Sequence, residues 1–221
     1  MLEKLKSSGR YNITILLFVM TLFCFTISIT RYIITDSKLF LFLNWNLFLA
    51  IIPWLISSLI IYKELNKKIY IIALIFSWLL FSPNSPYILT DLFHLRRISK
   101  VPIWFDLAVI LSFAWTGLMY GFISLMNIEI LLKRYLSNKT IVAITFLFFF
   151  LASFGVYLGR YSRWNSWDIV RNPLGLSSDI IDQFANPFYH YKTWGMTIMI
   201  GLLLNMIYFS IKLMKAEKSL A

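Results

Sequence analysis

Tyr87, Asp91 and His94 stand four and three residues apart, so a helix running through them carries a phenol, a carboxylate and an imidazole on one face. A carboxylate and an imidazole one turn apart can exchange a proton or share a divalent metal ion, and those are the two chemistries this spacing offers. Metal sites normally draw three or four protein ligands, so Asp91 and His94 make a metal site only as part of a larger set. The competing reading is plainer: at a membrane surface both groups are solvated or cap a helix.

A second acidic residue, Asp106, follows Ile103-Trp104-Phe105 and precedes an uninterrupted apolar run. A carboxylate about one turn inside an apolar helix either faces the interior of a bundle or costs several kcal/mol, though an N-terminal helix dipole also favours it. The basic counterpart is Gly159-Arg160-Tyr161-Ser162-Arg163-Trp164-Asn165-Ser166-Trp167-Asp168. Arg160 and Arg163 sit one turn apart if the preceding helix continues, and guanidinium forks suit phosphate or carboxylate oxygens. With two Trp at headgroup level, such a segment reads an anionic lipid headgroup, unless the arginines simply pair with Asp91, Asp106 or Asp168 to close the bundle. His190, between Tyr189 and Tyr191, falls in the same outer connection and reads as a solvated interfacial histidine.

These groups must be carried by membrane elements. Of 221 residues 59% are hydrophobic and only 14% charged, a balance that soluble domains do not show. Six apolar runs, each long enough to span a bilayer as a helix, cover Tyr11 to Thr30, Leu39 to Tyr62, Ile69 to about Leu89, Ile103 to Met126, Thr140 to Leu158 and Thr193 to Ile211. The expected fold is therefore all-α, a polytopic transmembrane helix bundle of about six spans forming one domain over residues 1–221. The first run follows Lys4, Lys6 and Arg10 as a signal peptide would, but Thr30, Arg31 and Tyr32 follow it in place of a small-residue cleavage site, so it reads as a retained anchor.

The 21 Lys and Arg are scattered through short loops, which argues for topology and against nucleic acid. With six spans, 12 of them fall on the side of both termini and 9 on the other, so both termini are expected in the cytoplasm of a cell-membrane protein. All four Glu then fall inside and all six Asp outside. Trp104, Trp164, Trp167 and Trp194 mark the outer ends of spans, and Tyr11, Tyr62, Tyr70 and Tyr135 the inner ends. The single cysteine, Cys24, forms no internal disulfide.

The third run is interrupted by Ser82-Pro83-Asn84-Ser85-Pro86 after only thirteen apolar residues, which as a helix rise about 20 Å of a ~30 Å hydrocarbon core. This predicts a span broken at Ser82 to Pro86, with Asn84 placed to satisfy freed carbonyls. Pro53 predicts a kink in the second span, and Gly117-x-x-x-Gly121 and Gly155-x-x-x-Gly159 predict close helix packing. The one long connection, 160–192, contains a short amphipathic stretch at Ser178 to Asn186 that could lie on the membrane surface through Ile180, Ile181 and Phe184, with Pro187 to stop it.

Three segments taken together, WLLFSPNSPYILTDLFHL from Trp78 to Leu95, PIWFDLAVILSFAWTGL from Pro102 to Leu118 and FGVYLGRYSRWNSWD from Phe154 to Asp168, resemble a family of bacterial integral membrane proteins known as domain of unknown function 1361. The resemblance runs from about Leu39 to Met206. It implies that Asn84, Pro86, Tyr87, Thr90, Asp91 and His94 belong to one family motif, Trp104 and Asp106 to the next, and Gly159, Arg160, Arg163, Asn165, Ser166, Trp167 and Asp168 to the last. His190 and Asp36 match no motif. The family label implies no activity.

Three readings follow. In the first, a membrane-embedded enzyme acts on an anionic lipid or lipid-linked substrate at the extracytoplasmic face, with Asp91, His94 and Asp106 as catalytic groups, a divalent metal on Asp91 and His94 if any is used, and Asn84, Tyr87, Thr90, Arg160, Arg163, Asn165, Ser166 and Asp168 in binding. In the second, a lipid or small-anion transporter lines a path with the broken helix and Asp106. The third is an accessory subunit whose Tyr-, Trp- and Arg-rich outer face docks a membrane-protein partner. Membrane lipids are partners in the first two, and a homodimer fits the small size of a six-span transporter.

Overall fold

A computed structural model describes residues 10–63, 67–95 and 100–217. Lys4, Lys6, Glu3, Glu64 and the other residues of 1–9, 64–66, 96–99 and 218–221 lie outside the described residues. Among those described there are helices and no strands. Helix α1 covers Tyr11–Thr35, α2 Phe42–Tyr62, α3 Lys68–Phe81 and α4 Asn84–Tyr87, and a 3-10 helix, Ile88–His94, continues α4. There follow α5 (Ile103–Leu132), α6 (Asn138–Tyr157) with a π turn at Leu158–Ser162, α7 (Asp168–Arg171), α8 (Pro173–Ala185) and α9 (Tyr191–Glu217).

Six stretches are long and apolar enough to cross a membrane: Tyr11–Thr35, Phe42–Tyr62, Ile69–His94, Ile103–Leu132, Asn138–Ser162 and Tyr191–Lys215. This is a multi-pass membrane protein. The chain packs as two compact units, Met1–Leu131 and Leu132–Ala221.

In the first unit the core gathers Leu17 and Cys24 of α1, Leu43, Leu47 and Ala50 of α2, and Val109, Ile110 and Phe113 of α5. Helix α5 is the most buried of the six spans. Apolar contact gives little drive for helix association in lipid, so polar groups help specify the pairing. Thr21 of α1 shares a 2.8 Å hydrogen bond with Tyr120 of α5, and Cys24 lies 3.3 Å from Thr116. Asn127 of α5 donates to Ser57 of α2 at 3.1 Å, and the Trp78 indole of α3 donates to Ser124 of α5.

The third span is bent where its two prolines stand, as the sequence requires. Pro83 has no N–H for the Leu79 carbonyl, and Ser82 Oγ donates there instead at 2.8 Å. Pro86 has none for the Ser82 carbonyl, which takes the Ser85 N–H at 3.2 Å in a tighter i to i+3 bond. Asn84 Nδ2 donates to the Phe81 carbonyl at 2.9 Å, so the bend is held by side chains in a medium without water to spare. Across from it, Ser85 Oγ lies 3.4 Å from the Ala50 carbonyl, three residues before Pro53 inside α2.

The Gly117-x-x-x-Gly121 pair packs against this bend. A Cβ at Gly117 would stand 2.7 Å from Ile88 Cδ1 and 3.2 Å from the Ser85 carbonyl, and one at Gly121 would stand 2.7 Å from Ser85 Cβ. Only glycine leaves room there.

The second unit is built on α6 packed along α9. A Cβ at Gly201 would stand only 2.7 Å from Phe150 Cδ1, the Tyr208 ring lies 5.3 Å from Phe149 in a tilted contact, and Asn205 Nδ2 donates to the Phe146 carbonyl at 3.2 Å. Two sequence expectations shift here. The amphipathic helix, expected from Ser178 to Asn186, starts at Pro173, because Asn172 caps it by accepting the Gly175 N–H at 3.1 Å and Pro173 fits the first helical position. The helix before it does not continue through Arg163: it loosens into the π turn and ends with Arg163 at φ 61°, whose N–H returns to the Leu158 carbonyl.

Candidate functional site

The 3-10 winding of Ile88–His94 has three residues per turn, so Asp91 and His94 fall in line on one edge. Asp91 is fully buried. Its Oδ2 accepts the Asn46 amide of α2 at 2.8 Å. Its Oδ1 stands 3.9 Å from His94 Nδ1, too long for a hydrogen bond, and that nitrogen is buried without one. The His94 ring packs 5.1 Å from Phe42 and its side chain is 39% exposed, so a buried carboxylate is connected through an imidazole to the surface of the unit. Thr90, buried beside them, donates to the Tyr87 carbonyl at 2.6 Å, and Tyr87 and Asn84 are half-buried.

Asp106 lies elsewhere in the first unit. Arg31 of α1 reaches it with Nε on Oδ1 at 2.6 Å and an Nη on Oδ2 at 3.3 Å, both side chains being 2% exposed. The remaining Nη donates to the Leu39 carbonyl at 2.9 Å, and the guanidinium lies 4.5 Å from the Phe40 ring centre. Phe40 itself takes φ 75°, unusual for a bulky residue, in the turn that brings its ring there. Both carboxylate oxygens of Asp106 are thus engaged by one cation. Among the described residues no three of His, Cys, Asp and Glu gather around a point, so Asp91 and His94 offer two metal ligands.

The residues of the last motif lie in the second unit. Arg160 is half-buried in the π turn and Arg163 is exposed; the left-handed turn at Arg163 removes the helical spacing expected between them. Asp168 Oδ2 accepts the Asn165 N–H at 2.7 Å and its side-chain amide at 3.3 Å, closing the turn that contains Ser166. Trp164 Nε1 donates to Asp179 Oδ2 at 2.6 Å, and Gln183 Nε2 to Asp179 Oδ1 at 3.2 Å, which fastens α8 to the turn. His190 Nε2 meets Asp182 Oδ2 at 2.8 Å, and Asn186 Nδ2 donates to Asp182 Oδ1 at 2.7 Å. These Asn186 and His190 hydrogen bonds hold the Asp182 carboxyl below its usual range.

Three contributors escaped the sequence reading. Asn46 was legible as an amide in the first turns of an apolar span, and Arg31 as a charge near the end of another that needed a partner. The His190 to Asp182 contact spans eight residues and a helix end, which no local spacing reveals.

The family model described as "Protein of unknown function (DUF1361)" matches residues 45–207, a stretch that holds Asn46, Asp91, His94, Asp106 and the whole arginine motif. No curated protein and no solved structure matches the chain.

Proposed function

We propose, for a chain that belongs to the DUF1361 family, that this multi-pass membrane protein binds and acts on an anionic lipid or lipid-linked substrate at the extracytoplasmic face. The observation that carries the reading is the fully buried Asp91 carboxylate, held by Asn46 and 3.9 Å from the half-exposed His94 imidazole. A closure of about 1 Å makes the Nδ1–H to carboxylate hydrogen bond that orients an imidazole as a base, and such bonds are commonly long before substrate binds. Nε2 of His94 then takes the proton from a substrate hydroxyl or water. Asp91 fixes the ring and balances its charge.

Arg160 and Arg163, in the second unit, are cations of the kind that an anionic headgroup requires. Asp106 is the counter-ion of Arg31 in this reading and takes no proton from substrate. The extracytoplasmic assignment rests on the Lys and Arg bias, 12 against 9, which favours both termini in the cytoplasm. Native mass spectrometry of protein purified in mild detergent tests the proposal. The unaltered chain and Asp91→Asn are expected to carry a phosphate-bearing lipid that Arg163→Ala loses, and turnover of that lipid in vesicles is lost in Asp91→Asn and His94→Gln while both still purify as folded protein. Loss of expression in Asp91→Asn, with no lipid on the unaltered chain, refutes it.

One observation favours a second reading, a lipid or small-anion transporter. The bent third span, whose carbonyls are satisfied by Ser82 and Asn84 side chains, is the kind of interrupted helix that lines transport sites. Movement of labelled phosphatidylglycerol between leaflets of proteoliposomes, unaffected by His94→Gln, supports that reading over the enzyme.

A further inference from the structure

Helix α8 exposes three large apolar side chains beside Ser177, Ser178 and Asp182, while Leu176 and Ile180 on its other side are half-buried. Leu174 is 83% exposed, Ile181 66% and Phe184 60%, while the amide Gln183 is 1% exposed and Asp179 is turned to the Trp164 indole. On a helix facing water such large apolar side chains are normally turned inward. The flanking residues extend the pattern, with Val170 83% and Phe188 94% exposed.

Two observations name what covers this face. The connection leaves one membrane span at Ser162 and enters the next at Tyr191, so both its ends are fixed at a bilayer surface. Its exposed charges are three cations, Arg163, Arg171 and Lys192, against one carboxylate, Asp182, which His190 and Asn186 engage; Asp168 and Asp179 are half-buried against Asn165 and Trp164.

We infer that α8 is an interfacial helix docked on the anionic headgroup layer of the adjoining leaflet, with Leu174, Ile181 and Phe184 below the phosphates and Arg163, Arg171 and Lys192 at their level. The Trp164 to Asp179 and Gln183 to Asp179 hydrogen bonds set its roll, so that the apolar side meets lipid as soon as the spans insert. The inference makes no use of Asp91 or His94 and stands or falls apart from the proposed chemistry.

The test is spin-label accessibility on the full chain in proteoliposomes, in a Cys24→Ala background that removes the single native cysteine. Labels at Leu174→Cys, Ile181→Cys and Phe184→Cys are expected to collide with oxygen dissolved in the bilayer and not with a water-soluble nickel complex. A label at Asp182→Cys, an exposed carboxylate position on the polar flank of the helix, is expected to show the opposite preference. In vesicles of phosphatidylcholine alone the three labels are expected to lie shallower than in vesicles containing phosphatidylglycerol. Nickel access at all three overturns the docking, and access to neither quencher means that a protein or a second copy covers the face, which overturns it equally. Equal depth in both lipid mixtures overturns the anionic preference.

Discussion

Removing one member of the Arg31–Asp106 pair should be the most damaging single change in the first unit. Both side chains are 2% exposed and share two hydrogen bonds, so Asp106→Asn leaves a guanidinium buried without its counter-charge. Breaking a buried pair from one side costs roughly 3–5 kcal/mol, whereas replacing both members by apolar residues is often close to neutral. At roughly 2–4 °C per kcal/mol for a chain of this size, Asp106→Asn or Arg31→Met should lower the melting temperature by about 6–20 °C. The buried single cysteine, Cys24, is a built-in reporter: a maleimide dye reacts with it only when α1 opens. The double change Arg31→Met with Asp106→Leu should recover more than half of the loss. A single variant that melts within a degree of the unaltered protein, or a double variant as unstable as the two singles combined, would refute the view that this pair is a self-contained fastening. Turnover adds a second readout: a stable double variant that has lost activity would return Asp106 to the reacting groups.

Three further outcomes are expected. Asn46→Leu removes the 2.8 Å donor to the buried Asp91 carboxylate and should cost about 1.5–3 kcal/mol, read as a lower denaturation midpoint in detergent. Gly121→Ala brings a Cβ to 2.7 Å from Ser85 Cβ and should cost about 1–3 kcal/mol by the same assay, whereas Gly195→Ala, with open space around it, should change nothing measurable. Asp182 is held below its ordinary value of 3.8 by Asn186 and His190, so its tie between α8 and the start of α9 is present above pH 3.8 and is lost as pH falls through the lowered folded value. Protection of the amides over 186–193 against hydrogen exchange, taken relative to the intrinsic rate at each pH, should therefore fall only on the acid side of 3.8, and an equal loss of protection around neutral pH would sink the idea.

The spans were legible because burial in lipid imposes a length and a composition that sequence displays directly. Their ends were not: α5 runs to Leu132 and α9 to Glu217, past the apolar windows, because backbone hydrogen bonding continues a helix after its membrane-crossing part ends. The bend at Ser82 to Pro86 was legible because proline deletes donors whatever surrounds it. How the deleted donors are replaced was partly so, since Asn84 was an evident candidate but Ser82 and Ser85 were not. Pairings between distant segments, Arg31 with Asp106 and Asn46 with Asp91, are tertiary facts. Sequence shows only that each group lies in an apolar neighbourhood and needs a partner.

The bend does more than shorten a span. An α-helix continued from α3 would set Asp91 and His94 about 60° apart around the axis, with neighbouring positions filled by the next turn. Winding as a 3-10 helix instead aligns them and places the carboxylate against Asn46, at the cost of poorer backbone bonds. That geometry persists because the preceding turn is clamped, with Ser85 between the Ala50 carbonyl of α2 and the bare backbone of Gly121 in α5. The glycine pair, which by itself reads as generic helix packing, is therefore part of what sets the Asp91 to His94 distance. Gly121→Ala should alter the environment of the His94 ring, seen as changed imidazole NMR shifts, although His94 touches neither glycine. Unchanged shifts in a folded Gly121→Ala variant would mean that the 3-10 segment holds its own geometry without the clamp.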